Sequence, residues 1–243
     1  MRKKFFNIEL DLLTTIDALK TIQDYLNSDK NYINCFINAH CFNIAQKNSE
    51  YKKSLESFDL ILNDGIGIKL ASHLIRLDLM ENLNGTDLIP KIITLASQLK
   101  KRIYLLGGKP GIAELACKNI EKAIPGVVIA GFHDGYFTDN QKIVEEINSS
   151  GADLLIVGMG VPKQEIWLSQ NKKSLNTKLS IAGGAIIDFQ AGNVMRAPLW
   201  MQKVYLEWLF RLLQEPKRLW KRYLIGNLVF FYNILKLKFS AKP

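Results

Sequence analysis

The chain has 243 residues, 48% hydrophobic and 23% charged, an ordinary globular composition with length for one large core and no low-complexity segment or obvious internal repeat. Its net charge of +9 is uneven: from Arg196 onward ten Lys/Arg stand against Glu207 and Glu215, a net of +8, which leaves +1 for residues 1–195. Cys35, Cys41 and Cys117 lack metal-ligand spacing and read as reduced core thiols, while Glu9, Asp11 and Asp17 interrupt any leader-like start, so no metal site is expected and the body is expected to stay in the cytosol.

Short apolar runs then alternate with helical patterns. Strands are predicted over Tyr32–Asn38, Phe58–Asn63, Arg102–Leu106, Val127–Ala130, Asp153–Gly158 and Leu179–Ala182, with helices approximately over 40–56, 66–76, 86–100, 111–123, 139–149 and 163–172. This alternation predicts an α/β fold, a Rossmann-like and mostly parallel sheet with helices on both faces. Ligands of such sheets collect beyond the carboxyl ends of the strands. There the chain places Asn63-Asp64-Gly65-Ile66-Gly67, Gly107-Gly108-Lys109-Pro110-Gly111, a run from Gly158 to Glu165, and Gly183-Gly184 with Asp188 soon after. Glycines admit close backbone approach and helix N-termini suit anions, so a diphosphate is the natural ligand class. Neither a Walker A loop nor a clean Gly-x-Gly-x-x-Gly occurs, which disfavours ATPase and standard dinucleotide readings.

The tail divides at Pro216. Leu199–Gln214 reads as an amphipathic helix carrying Trp200, Tyr205, Trp208 and Phe210. A second helix carries Trp220, Leu224, Leu228, Phe231 and Leu235 as one stripe, with Lys217, Arg218, Lys221 and Arg222 at its start and Lys236, Lys238 and Lys242 after its end. We expect two units, an α/β body over 1–195 and a basic, aromatic-rich helical appendage over 196–243. The appendage is expected to dock on a membrane surface through residues 199–238, burying apolar groups among acyl chains with cations at the headgroups. The run Tyr223–Leu235 falls short of the roughly 20 residues that span a bilayer. The alternative is that both helices pack on the body or on a second subunit, giving a homo-oligomer. Nucleic acid is disfavoured because the aromatics lie at helical spacing rather than on a strand platform.

Taken together, several motifs resemble the WecG/TagA/CpsF family, glycosyltransferase family 26. They are Asp64-Gly65-Ile66, Gly85-Thr86-Asp87-Leu88, Leu106-Gly107-Gly108-Lys109-Pro110, Asp134-Gly135-Tyr136-Phe137, the run from Gly158 to Glu165, Gly183-Gly184, Arg196-Ala197-Pro198 and the segment from Glu207 to Arg218. The likeness runs from about residue 30 to 225 in the family's order. It implies a metal-independent, inverting enzyme without a cofactor that moves a sugar from a UDP-sugar donor to an undecaprenyl-diphosphate-linked acceptor at the inner face of the cell membrane, in surface polysaccharide synthesis. N-acetylmannosamine is the first donor sugar to consider, ahead of N-acetylmannosaminuronic acid and glucose. No Asp-x-Asp occurs, so backbone N–H groups and cations are left to stabilise the leaving diphosphate.

Carried onto this chain, the resemblance makes Asp64 the candidate general base, against a role capping the next helix. It makes Asn38 the asparagine of a Thr-x-Asn motif, against a turn former, and Gln164 a holder of sugar or phosphate oxygens. Tyr136 and Asp188 look like a nucleobase pair, against a turn aromatic and a solvated carboxylate. Gly107, Gly108, Gly158, Gly183 and Gly184 would bring backbone to the substrate, and Lys163 would meet a phosphate or stay solvated. Arg211, Arg218 and Arg222 would fold over the site to the diphosphate, against solvated or lipid-facing cations. His40, His73 and His133 match no catalytic pattern. Two positions depart from the family: Phe36 stands for threonine and Asn82 for an arginine. They keep open a binding protein that has lost turnover, with a Rossmann-type oxidoreductase third.

Overall fold

A computed structural model describes residues 1–240, so Lys242 lies outside the described residues. A hairpin of β1 (Arg2–Phe5) and β2 (Ile8–Asp11) comes first, then helix α1 (Thr15–Asn27). None of these was expected from the sequence. Thr14 and Asp17 cap α1 reciprocally, and Ala18, Ile22 and Leu26 bury one stripe of it. Arg2 ion-pairs with Asp11 at 2.7 Å and donates to the carbonyl of Asp59, while Asp11 accepts from the N–H of Ile61. These bonds lay the hairpin over an edge of the main sheet that would otherwise stand open.

The sheet elements follow as β3 (Tyr32–Ile37), α2 (Ala39–Ala45), α3 (Ser49–Leu55), β4 (Leu60–Asn63), α4 (Ile66–His73), α5 (Gly85–Gln98), β5 (Arg102–Gly107), α6 (Ile112–Ala123), β6 (Val128–His133), α7 (Asn140–Ser149), β7 (Leu154–Gly158), α8 (Lys163–Asn171) and β8 (Leu179–Ala182). The six strands run parallel in the order β4-β3-β8-β7-β5-β6. The α/β class and all six expected strands therefore hold. One expected helix over 40–56 is two, because the Asn48 side chain accepts from Tyr51 N–H and starts α3 anew. Strand β6 continues past the expected Ala130 to His133, held by its pairing with β5.

Side chains alternate between two apolar layers. Ile33, Cys35 and Ile37 of β3 face α2, α3, α7 and α8, whereas Phe36 joins the layer of α1, α5 and α6. All three cysteines are buried thiols.

The remaining elements are α9 (Ile186–Gln190), α10 (Leu199–Lys203), α11 (Glu207–Gln214), α12 (Pro216–Trp220), a π-helical turn over Lys221–Ile225, and α13 (Gly226–Ser240). The expected helix Leu199–Gln214 is broken between α10 and α11, where Tyr205 takes a positive φ of 60°. Helix α13 docks on the body through Phe230 and Ile234, both fully buried, with the Phe230 ring 5.4 Å from that of Phe42. Asn43 Nδ2 donates to the Gly226 carbonyl at 2.7 Å, and Asn233 Nδ2 to Asn43 Oδ1 at 3.1 Å. The stripe read from the sequence, Trp220, Leu224, Leu228, Phe231 and Leu235, lies on the other side and is exposed. No helix among the described residues is long and apolar enough to cross a membrane.

Phe230→Ala should lower stability by about 3–5 kcal/mol, the usual range for deleting a buried phenyl ring. Denaturant unfolding checks this, and an unchanged midpoint would mean that α13 is not held by this contact.

Candidate active site

The loops beyond the carboxyl ends of the strands converge on a cleft of about 1120 Å³, roofed by residues of α11, α12, the π turn and α13. Asn38 caps α2: its Oδ1 accepts from the N–H groups of His40 and Cys41, both at 3.1 Å. Because those donors require the amide oxygen, Nδ2 is turned the other way, onto Asp64 Oδ2 at 3.2 Å. Asp64 does not cap the following helix. Gly65, at φ +85°, takes that position, and its N–H donates to Asn82 Oδ1 at 2.6 Å. Burial pushes the Asp64 carboxyl above its ordinary range, while Asn38 and the Arg222 cation pull it back.

His40 also lines the cleft. Burial, with Arg222 nearby, lowers its pKa to about 4, so the imidazole is neutral at pH 7. No sequence pattern had marked it. The two departures find their places as well: Asn82 holds the backbone of Gly65, and the ring of Phe36 packs against Gly85 at the start of α5.

The glycines let strand ends meet backbone to backbone. A Cβ on Gly107 would lie 2.4 Å from the Gly158 carbonyl oxygen, and one on Gly158 would lie 2.9 Å from that of Gly184. Gly108, Gly158, Gly183 and Gly184 line the cleft, whereas Gly107 sits behind its wall. Gln164 is only 2% exposed, and its Oε1 accepts from the N–H groups of Gly160 and Gly184, both at 3.1 Å. Its Nε2 donates to Glu165 Oε1 at 2.8 Å. Gln164 thus ties two loops together. Lys163 likewise donates to the carbonyl of Gly135 at 2.9 Å. Tyr136 stands at the rim, 68% exposed, and Asp188 lines the cleft while accepting from Asn193 Nδ2.

Arg211, Arg218 and Arg222 all reach the cleft from the tail. Arg218 is ion-paired with Glu215. Arg211 lies 5.0 Å over the Phe189 ring, and Nε of Arg211 and of Arg222 is buried without a hydrogen-bond partner among the described residues. The cleft therefore sets a carboxylate in its floor against guanidinium groups in its roof, an arrangement fitted to removing a proton at one side and binding an anion at the other.

Next to Gln164, Glu165 is buried with Oε2 unpartnered among the described residues, and burial raises its pKa to about 7. The folded protein therefore keeps this proton where the unfolded chain loses it near pH 4.5. Its contribution falls by up to about 3 kcal/mol as pH rises between those values, then levels. Glu165→Gln should abolish that part of the pH dependence in unfolding experiments from pH 4 to 8, and an unaltered profile would contradict it.

Residues 3–243 match the sequence model of the glycosyl transferase WecG/TagA/CpsF family. A Bacillus subtilis (strain 168) protein is 34% identical over 89% of this chain and 84% of its own length, and one from Bacillus spizizenii is 31% identical over 89% and 83%. A Staphylococcus aureus (strain MRSA252) protein is 27% identical over 97% and 92%. Each is named N-acetylglucosaminyldiphosphoundecaprenol N-acetyl-beta-D-mannosaminyltransferase. With the family's match running through both the floor of the cleft and its roof, the chain belongs to the WecG/TagA/CpsF family of glycosyl transferases.

Proposed function

We propose that this glycosyltransferase moves N-acetylmannosamine, with inversion and without a metal, from a UDP-linked donor to N-acetylglucosamine on undecaprenyl diphosphate. The names of its relatives support both sugars and the lipid. The observation that carries the chemistry is Asp64, held by Asn38 in a cleft that Arg211, Arg218 and Arg222 also line.

Asp64 takes the proton of the acceptor hydroxyl as its oxygen attacks the anomeric carbon. The new carbon–oxygen bond forms opposite the bond to UDP, which breaks and leaves its electron pair on the diphosphate. Arg211, Arg218 and Arg222 meet the charge that develops there, aided by the backbone of Gly108, Gly158, Gly183 and Gly184. Gly107 serves by letting the strand ends close up. Tyr136 stacks on uracil, and Asp188 accepts from its N–H. Gln164 and Lys163 hold the loops that shape the pocket, and Lys163, which lines it, lends its charge to the phosphates. A carboxyl raised by burial is a stronger base than an exposed aspartate, which suits proton removal.

In this reading residues 1–195 form the catalytic body, and 196–243 an amphipathic appendage that rests on the inner face of the cell membrane. The exposed side chains of Leu199, Trp200, Leu213, Leu228 and Phe239 enter the acyl region, and Lys217, Lys221, Lys236 and Lys238 meet anionic headgroups. A lipid-linked acceptor then arrives at a cleft whose roof lies on its own surface. Away from a membrane the same apolar face is available to a second copy of the chain.

Asp64→Asn should cut acceptor-dependent UDP release roughly 10²–10⁴-fold and leave UDP binding nearly unchanged. The wild-type rate should rise with pH along an acidic limb centred above the ordinary aspartate range. Full turnover in the variant would remove Asp64 from the mechanism. Leu213→Glu with Leu228→Glu should reduce binding to anionic phospholipid vesicles at least about tenfold while sparing turnover on a short-chain, water-soluble acceptor. Undiminished flotation with the vesicles would refute the membrane assignment.

A further inference from the structure

Arg196 opens a motif to which the transfer chemistry assigns no task. It lies between α9 and α10, outside the lining of the cleft, yet its guanidinium reaches three elements. Nε donates to Glu207 Oε1 at 2.6 Å and Nη2 to Glu207 Oε2 at 3.1 Å, a two-pronged bond to α11. Nη2 also donates to Gln202 Oε1 of α10 at 3.0 Å, and Gln202 returns to the Ala197 carbonyl at 2.6 Å. Nη1 turns to α5, bonding Asp87 Oδ1 at 2.7 Å and the Thr86 carbonyl at 3.4 Å. One side chain thus fastens the body to both helices that lead into the roof. The Arg196 and Glu207 side chains are 29% and 23% exposed, so the pair is shielded better than an ordinary surface ion pair.

Glu207 and Arg211 are four residues apart on α11, hence neighbours on one face, and both line the cleft. Fixing Glu207 fixes the rotation of α11 about its axis, and with it the direction in which Arg211 projects. The bonds along the rest of the helix cannot do this, since they hold its pitch and not its facing. Bidentate capture also neutralises a carboxylate that would otherwise oppose a diphosphate at the same wall.

We propose that Arg196 is a positioning residue for substrate binding, whose clasp on Asp87 and Glu207 aims Arg211 at the diphosphate of the nucleotide. The role of Arg211 as the diphosphate contact rests on the transferase reading; the clasp rests on the geometry alone.

The test uses the full chain, with UDP as probe and Arg196→Lys as the principal variant. Lysine keeps the charge opposite Glu207 but cannot span Asp87 and Glu207 with a planar fork. UDP affinity measured by calorimetry should fall about tenfold in Arg196→Lys and at least as much in Arg211→Ala, the scale of one charge-assisted hydrogen bond. Adding Arg196→Lys to Arg211→Ala should cause no further loss. A loss that persists undiminished in the Arg211→Ala background, or no loss in Arg196→Lys, would overturn the proposal.

Amide hydrogen exchange supplies a readout independent of the nucleotide. Faster exchange in Arg196→Lys confined to residues 199–214 is expected, whereas unchanged rates there, or equal acceleration through the β-strands, would overturn the clasp. Wild-type protein that binds no UDP would instead sink the nucleotide reading, and the exchange result would still decide the clasp.

Discussion

Opposite charges that face each other across a half-buried cleft attract strongly enough to close it, and the architecture of this protein keeps them apart. Asp64 sits in the floor and Arg222 in the roof, near enough for the cation to lower the carboxyl's pKa and yet not ion-paired with it. Separation requires that both be tethered from behind. Asp64 is tethered by its strand, through its N–H on the Ile37 carbonyl, and by Asn38, whose own orientation is fixed by two helix-start N–H groups. The roof is tethered by Phe230 and Ile234 in the core and by Arg196 at its other end. Among the described residues Nε of Arg211 and of Arg222 is left buried and unpartnered by this arrangement, while both side chains line the cleft.

Such a floor needs loops that do not wander, and glycine provides them by an indirect route. Gly107, Gly158 and Gly184 bring three strand ends into backbone contact, closer than any side chain would permit. The N–H of Gly108 on the Gly158 carbonyl, and that of Gly135 on the Gly108 carbonyl, extend the sheet's hydrogen bonding into the loops. Gln164 then uses its amide oxygen to lock Gly160 to Gly184. Gln164 and its backbone partners thus rigidify the wall of the cleft.

The central sheet was legible in the sequence because each strand is a short apolar run that ends in glycine or a polar turn residue, the pattern that a parallel sheet buried on both faces imposes. The hairpin escaped because strands such as Arg2–Phe5 are four residues long and highly charged, and their reason for existing is an edge that only the folded sheet presents. Helix α1 did carry a signal, the Thr14/Asp17 box ahead of Ala18, Ile22 and Leu26. The positions of Asn38, Asp64 and the tail arginines around one cleft follow the resemblance read from the sequence. What Gln164 and Arg196 hold was not legible, since hydrogen bonds to backbone 20 residues away, or to Asp87 109 residues away, leave no mark on local spacing.

Helix α13 shows where periodicity itself runs out. Phe230 and Ile234 form one apolar row, and Leu224, Leu228, Phe231 and Leu235 form another. Both rows recur at helical steps, so either could have been the buried one. The fold chooses the first because Phe42 and Asn43 of α2 offer it an aromatic edge and an amide that bonds Gly226 and Asn233. A helix apolar on two sides has to satisfy two environments at once. Docking one side on the body holds Arg222 of the preceding turn at the cleft, and the other side stays exposed. A change that loosens the docked row of α13 must therefore also shift Arg222, in the turn that leads into it, relative to Asp64, whereas a change on the exposed row leaves that docking in place.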